Sequence, residues 1–407
     1  MPASVPSSRP RPSTAVGSVR RLRWLASALA ASLLIACGGG IDLAGGVGSG
    51  GSGLAEGTIT GFGSVIVDGT RYDDSAAQVL VEDEGGQKQG TAMQLGQRVR
   101  LALDAEGKAT QIEVLPQLLG PVTAAAQDGW LRVAGQWVRV SDDTVLVDHD
   151  GASNVPLGEE VEVHGTWQAD DTRGVVLMAA MLRSRSAAAA APVLVGGVVH
   201  AVDGATITLG AAQGSRLTLP PGAQVPAIGE AVGLWVSRAA WLQSTTGPWP
   251  VLRQRHASTV EEGATLVLGG VVRSVDGKRL SVQGLQVDWP GGPGVQTLPP
   301  APGDVVRLTL RRVGAAWEVQ RAEVRDEPAK LGGRVELKGR LTGMDWTAQP
   351  LLLTLRGVRL RIPPDVLSVS GCPALGAAPV DVEIEAARGR LPLQALALRC
   401  TTPPPDN

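Results

Sequence analysis

Hydrophobic residues occupy alternate positions along short segments of most of the chain. In the clearest example, Leu131 and Val133 follow this rule, and Val138 and Val140 repeat it a few residues later. A period of two, interrupted by turns that contain glycine, is typical of half-buried antiparallel strands joined as hairpins. Further hairpins of this kind are predicted at residues 65–69, 207–219, 280–287 and 353–362.

A second pattern, Leu-Gly-x-x-Val-x-Val, follows each predicted hairpin with small variations. Its glycines are Gly96, Gly158, Gly229, Gly303 and Gly376, which lie 62, 71, 74 and 73 residues apart, and the fifth copy carries one extra residue. Such spacing is typical of domains, because solenoid repeats are only about 20 to 50 residues long. A strand that begins with glycine precedes each hairpin, and another strand follows each motif. Each unit is therefore predicted to have about five strands and no convincing helix.

The predicted fold class is all-β. Glycine (53) and proline (28) make up about a fifth of the 407 residues, which favours turns over long helices. Five strands in a small unit leave exposed edges unless the sheet closes into a barrel. We expect a tandem array of five small antiparallel OB-like barrels, with an SH3-like barrel or a short sandwich as the alternative. The predicted units are residues 56–116, 117–186, 193–260, 261–328 and 329–400, with a linker at 187–192 and a tail at 401–407.

The amino-terminal segment has the composition of an export signal. Residues 1–23 contain five arginines and no acidic residue, and residues 24–35 form an apolar run of 12. This run is too short to cross a bilayer, which needs about 20 residues. We therefore predict a signal peptide over residues 1–36.

The end of the apolar run resembles the lipobox of bacterial lipoproteins. Leu34 lies three residues before Cys37 and Ala36 directly precedes it, although Ile35 replaces the commoner Ala or Ser. The resemblance implies that Cys37 is acylated, as by palmitate, and begins the mature chain. Because Gly38 follows the cysteine, it also implies an outer-membrane lipoprotein of the cell envelope that faces the periplasm or the cell surface. The alternatives are an ordinary signal peptide or a buried helix with an incidental cysteine.

Residues 37–55 are predicted to tether the domains to this membrane anchor. Residues 38–53 are mostly glycine, with some serine, and such a composition behaves as a flexible coil. The next segment, residues 57–72, reads GTITGFGSVIVDGTRY. It resembles a bacterial family of domains of unknown function that occurs in repeated copies in secreted lipoproteins. Because that family has no established activity, the resemblance implies the architecture and assigns no catalytic or binding residue.

The charge of the mature chain disfavours one class of partner. Removing the five arginines of residues 1–36 from the 37 basic residues leaves 32 against 39 acidic residues, a net charge of −7. A negative chain lacks the general attraction that supplies most non-specific affinity for nucleic acid. We therefore expect no nucleic-acid partner.

The sequence lacks the motifs of common catalytic and metal sites. His149, His164, His200 and His256 form no zinc-binding pattern, and the acidic loop around His149 lacks the ligand spacing of a calcium loop. There is no G-x-S-x-G motif, no phosphate-binding loop and no cysteine placed beside a histidine. Spacing alone also selects no catalytic pair among 39 acidic residues. We expect no enzymatic activity, cofactor or metal.

Two cysteines are predicted to form a disulfide. Cys372 and Cys400 are the only cysteines after Cys37, and both lie in the fifth predicted unit. An exported chain permits oxidation. The alternative is a pair of free buried thiols.

One hairpin carries a candidate binding surface. Trp130, Arg132, Trp137 and Arg139 alternate out of phase with the aliphatic residues of the same hairpin. If those aliphatic residues fill a barrel, the four larger side chains lie on its outer face, and aromatic residues with arginine suit protein or carbohydrate contacts. The alternative is that they cover a seam against a neighbouring unit.

The predicted function is a non-enzymatic binding or scaffolding module for an envelope protein or glycan. Two alternatives remain: an envelope hydrolase whose carboxylate site is assembled between units, and a purely structural spacer.

Overall fold

The computed structural model describes most of the chain from residue 53 onward. The described residues are 53–186, 191–244, 246–255, 263–282, 285–289, 299–302, 304–313, 316–325, 334–341, 351–368, 372 and 380–401. Strands dominate these residues and the only α-helices among them are short, so the predicted all-β class is confirmed. The predicted signal peptide, Cys37, His256 and most of the predicted tether lie outside the described residues, as do residues 187–190 of the predicted linker.

The first region contains seven strands among its described residues. They are β1 (Gly53–Phe62), β2 (Val65–Val67), β3 (Thr70–Tyr72), β4 (Gln78–Glu82), β5 (Lys88–Gly90), β6 (Arg98–Leu103) and β7 (Ala109–Val114). Strands β1, β2 and β3 form an antiparallel meander. Strand β6 pairs antiparallel with β1 and β7, and β7 runs parallel to β4. The predicted hairpin at residues 65–69 is the turn between β2 and β3.

In the second region the strand pairings form a closed circuit. The strands are β8 (Leu118–Gln127), β9 (Trp130–Val133), β10 (Gln136–Arg139), β11 (Val145–Leu146), β12 (Glu160–Asp170) and β13 (Gly174–Ser184). The antiparallel meander β8–β9–β10 continues into β13, which is parallel to β10. Strand β13 pairs antiparallel with β12, and β12 returns to β8.

The third region repeats this circuit and adds a helix. Its elements are β14 (Val193–Asp203), β15 (Thr206–Leu209), β16 (Arg216–Thr218), β17 (Ala231–Val236), α1 (Arg238–Leu242) and β18 (Trp249–Gln254). The pairings run β14–β15–β16–β18–β17 and back to β14, and the one between β16 and β18 is parallel. Helix α1 begins after Ser237, whose hydroxyl accepts a hydrogen bond from the Ala240 backbone N–H.

The fourth region has the same order of pairings, and the fifth shows most of it. The fourth contains β19 (Thr265–Asp276), β20 (Arg279–Val282), β21 (Leu285–Asp288), β22 (Val305–Val313) and β23 (Ala316–Arg325). The fifth contains β24 (Arg334–Leu341), β25 (Leu351–Leu355), β26 (Val358–Ile362), α2 (Pro364–Ser368), β27 (Val380–Ala387) and β28 (Leu393–Thr401). The parallel pairs are β21–β23 and β26–β28.

Strand β1 links three of these regions. Residues 53–56 pair in parallel with residues 265–268 of β19, and Gly61 and Phe62 pair in parallel with Glu336 and Leu337 of β24. Strand β8 meets β14 at Leu119 and Leu194. The described strands therefore form one sheet of 17 strands and another of 11.

The alternating pattern explains which side chains are buried. Leu131, Val133 and Val138 have no exposed area and Val140 is 6% exposed, as expected when every second residue of a strand faces the core. Burying an aliphatic side chain of this size contributes about 1.5–3 kcal/mol.

None of the helices within the described residues is long and apolar enough to cross a membrane.

Candidate functional site

The four predicted surface residues lie together on one side of the β9–β10 hairpin, which we call the hairpin face. Trp130 pairs with Arg139 across the two strands, and Arg132 pairs with Trp137. Residues opposite each other in an antiparallel pair point to the same side of the sheet. All four side chains are half-buried, in contrast to the buried aliphatic residues between them.

The tryptophan rings and the arginine guanidinium groups of this face contact each other. The Trp130 and Trp137 rings are 6.5 Å apart and nearly perpendicular. The Arg132 Cζ lies 4.4 Å from the Trp137 ring centre, and the Arg139 Cζ lies 5.1 Å from that of Trp130. Such cation–π contacts contribute about 0.5–1 kcal/mol at exposed sites and more where water is excluded.

Arg173 joins this cluster from the turn between β12 and β13. Its Cζ lies 4.2 Å from the Trp130 ring centre and 5.2 Å from that of Trp137. The Asp170 carboxylate shapes the turn by accepting a 2.7 Å hydrogen bond from the Arg173 backbone N–H. The sequence pattern does not indicate Arg173, because the position of this residue over the hairpin depends on the parallel pairing of β10 with β13.

The hairpin face carries an excess of positive charge. The Asp170 carboxylate is 3.7 Å from the Arg173 guanidinium. Within the described part of the chain, no other ion pair involves Arg132, Arg139 or Arg173. Burial lowers the pKa of the Arg132 guanidinium. The buried Nε atoms of Arg132 and Arg173 have no hydrogen-bond partner among the described residues. This excess of arginine over acidic partners suits the binding of an oxyanion.

A cleft of about 460 Å³ lies between β1–β3 and the strands β24, β27 and β28. Its charged lining consists of Arg71, Arg334, Arg399, Glu336, Glu383 and Glu385. The carboxylates are already paired: Glu336 lies 3.0 Å from Arg71, Glu385 lies 2.8 Å from Arg334, and Glu383 lies 2.8 Å from Lys338. Burial opposes ionisation of Glu336, but Lys338 and Arg71 outweigh it and lower its pKa. A general acid for hydrolysis needs the opposite shift.

The side chains of Ser184, His149 and Glu159 also lie in contact, and the spacing of these residues in the sequence did not predict this contact. The His149 Nε2 is 3.0 Å from the Ser184 Oγ and 3.2 Å from the Glu159 Oε1. The Ser184 hydroxyl also donates to the same Glu159 oxygen. In a catalytic triad the acid contacts the opposite nitrogen of the imidazole and orients it. Here both groups share one nitrogen, so the cluster lacks the geometry of a proton relay.

His164 connects the first and second regions from a fully buried position. Its Nδ1 accepts a 3.1 Å hydrogen bond from the Arg98 backbone N–H, and its Nε2 is 2.7 Å from the Glu162 carboxylate. Arg183 lies 2.7 Å from the same carboxylate. Burial opposes ionisation of Glu162, but the hydrogen bond from His164 and the charge of Arg183 lower its pKa to about 2. This network stabilises the junction of β6 with β12.

The other cysteines and histidines singled out in the sequence form no further candidate site within the described residues. Cys372 and Cys400 form a disulfide, with their Cα atoms 5.0 Å apart. His200 is exposed on β14. No group of three or more His, Cys, Asp or Glu residues suited to a metal ion occurs within the part of the chain that the structure describes.

Residues 120–173 match a family described as Domain of unknown function (DUF5666). The match covers about an eighth of the chain and contains all four hairpin-face residues as well as Arg173. It lies in the second region, whereas the resemblance in the sequence was carried by residues 57–72. It supports the prediction that the chain contains a domain from a family of unknown function. No curated protein matches the chain.

Proposed function

We propose that the chain is an outer-membrane lipoprotein that acts as a non-enzymatic binding or scaffolding module for an envelope protein or glycan. The observation that carries this proposal is the hairpin face together with Arg173, where two tryptophans and three arginines contact one another. Tryptophan and arginine are the side chains that most often dominate binding energy at interfaces.

The proposed architecture is five OB-like barrels with the boundaries predicted from the sequence. The closed circuits of the second, third and fourth regions support it, since the third strand of each runs parallel to the last. That parallel pair favours an OB-like over an SH3-like barrel. Repeated units also suit binding, because several weak sites on one chain raise the effective concentration of each.

The geometry gives less support to a hydrolase. The carboxylates of the cleft are neutralised by Arg71, Arg334 and Lys338. The Ser184 cluster has its acid on the wrong side of the histidine. Binding at the hairpin face is therefore the better-supported function.

Replacing both tryptophans of the hairpin face is expected to abolish partner capture. The chain without its anchor cysteine, residues 38–407, would be immobilised and exposed to envelope extract, and the Trp130→Ala/Trp137→Ala variant should retain at least about tenfold less partner. Trp241→Ala is the matched control, because this half-buried tryptophan lies on α1 of the third region, whereas the hairpin face belongs to the second. If neither the wild type nor the variant retains a partner, the chain is a spacer.

Lipidation of Cys37 predicts where the protein fractionates. The wild type should be recovered with the outer membrane and carry acyl mass, whereas Cys37→Ala should lose both. Ile35→Ala is the control, since it moves the sequence towards the commoner lipobox and should leave the protein in the membrane. Recovery of wild type and Cys37→Ala in the same fraction, both without acyl mass, would disprove the anchor.

A further inference from the structure

We infer that the hairpin face and Arg173 bind the carboxylate or phosphate groups of an acidic glycan. This inference rests on the proposed function and names the chemical class of its ligand.

The arginines keep hydrogen-bond donors that the described residues do not use. The Arg139 Nη1 donates to the Asp128 carbonyl and the Arg173 Nη1 to the Thr172 hydroxyl, whereas the Arg132 guanidinium forms no hydrogen bond within the described residues. The Cζ atoms of Arg132, Arg139 and Arg173 lie 4.2–5.1 Å from the nearest tryptophan ring centre. A guanidinium that stacks on an aromatic ring uses its flat surface, and its N–H groups point outward in the plane. Two indoles thus hold the remaining donors of three arginines on one small surface. This is the pre-organisation that binding of carboxylate or phosphate requires.

The charges point to an anionic ligand. The three arginines meet a single carboxylate, that of Asp170, among the described residues. The Nε atoms of Arg132 and Arg173 are buried and lack partners there, so an oxyanion would bind the terminal nitrogens of these arginines. A concentration of positive charge is unexpected in a mature chain with a net charge of −7, so we attribute it to binding.

The surroundings of this face favour a glycan over an acidic protein. Charges on an exposed surface are screened beyond about 8 Å at physiological ionic strength. An extended glycan with spaced acidic groups can therefore contact this surface alone. The broad surface of an acidic protein would also meet the negative remainder of the chain.

The test is calorimetric titration of the mature chain with defined probes. Oligogalacturonate supplies carboxylates, a phosphorylated oligomannose supplies phosphates, and methyl-esterified oligogalacturonate is the neutral control. At least one acidic probe should bind, the neutral form should bind at least about tenfold more weakly, and added salt should weaken binding. The two acidic probes distinguish carboxylate from phosphate recognition.

Variants locate the binding. Arg132→Gln and Arg173→Gln should each weaken it about tenfold, and Arg173→Lys should weaken it less because the charge is kept. Arg279→Gln, an exposed arginine of β20 paired with Asp288, is the matched control and should not change it. Unaltered thermal unfolding of the Arg173 variants would show that they fold.

The inference would be overturned if neither acidic probe bound, if the neutral form bound equally well, or if neither Gln variant had an effect. It would also be overturned if oligoglutamate, which represents an acidic peptide, bound more tightly than the acidic glycans. The proposed function fails separately, because it depends on tryptophan-dependent capture from envelope extract. Such capture without binding of an acidic glycan would leave the proposed function standing and disprove this inference.

Discussion

Glu162→Ala is expected to lower the free energy of unfolding by about 3–5 kcal/mol. The Glu162 carboxylate is 10% exposed and lies 2.7 Å from both His164 and Arg183. Removing it leaves the buried Nε2 of His164 without its partner and the Arg183 charge uncompensated. Urea unfolding at pH 7, followed by tryptophan fluorescence, would measure the loss as a shift of the transition midpoint.

Glu385→Ala is the matched control for this substitution. Glu385 also lies in a strand and pairs with an arginine at 2.8 Å, but its side chain is 41% exposed and that of Arg334 is 65% exposed. An exposed ion pair contributes at most about 1 kcal/mol. Equal losses in the two variants would show that burial of the Glu162 network does not determine its contribution.

The same network predicts a pH dependence. The pKa of Glu162 is about 2 in the folded chain, and so is that of Glu56, where Arg100 and Arg98 outweigh the opposing effect of burial. Both values lie below the ordinary 4.5, so the stabilisation is complete above pH 4.5 and is lost as the pH falls towards 2. Glu162→Ala should therefore show a shallower loss of stability over this range than the wild type.

Loss of the disulfide is expected to lower the free energy of unfolding by about 3.5 kcal/mol. Cys372 and Cys400 are 28 residues apart, and closing a loop of this length restricts the unfolded chain by that amount in the chain-entropy model. Urea unfolding of Cys372→Ser/Cys400→Ser, compared with the oxidised wild type, would measure it.

Thiol labelling provides the control for this comparison. In the denatured, unreduced mature chain neither cysteine should react, whereas Cys400→Ser should expose one reactive thiol at Cys372. Labelling of both cysteines in the unreduced wild type would contradict the prediction.

The sequence predicted the strands because their pattern is local. Alternation placed Leu131 and Val133 in the core and Trp130 and Arg132 outside without any knowledge of distant residues. It did not predict helix α1, because five residues capped by Ser237 give no periodic signal. Such short helices depend on packing against the rest of the chain more than on the helix propensity of their own residues.

Contacts between regions could not be predicted from the same pattern. Leu95, Leu157 and Ile228 begin equivalent Leu-Gly motifs, but Leu95 is 2% exposed while the other two are 66% and 64% exposed. Leu95 is buried because it belongs to a core that also includes Met181 of β13. The same limit applies to the candidate site, where Arg173 reaches the tryptophans only because β13 lies beside β10.

Strand β1 has a mechanical consequence for a protein held at a membrane. With an acyl group on Cys37, as proposed, the 16 residues from that cysteine to Gly53 span roughly 55 Å at full extension. Any pull beyond this length reaches the described strands at the start of β1, which is paired with β6 over six residues and with β19 over four. The relevant case is a force along the strand axis. A force in this direction loads those hydrogen bonds together in shear, whereas a terminal hairpin would unzip one bond at a time. With the proposed anchor and partner, the pairing of β1 would resist drag on that partner.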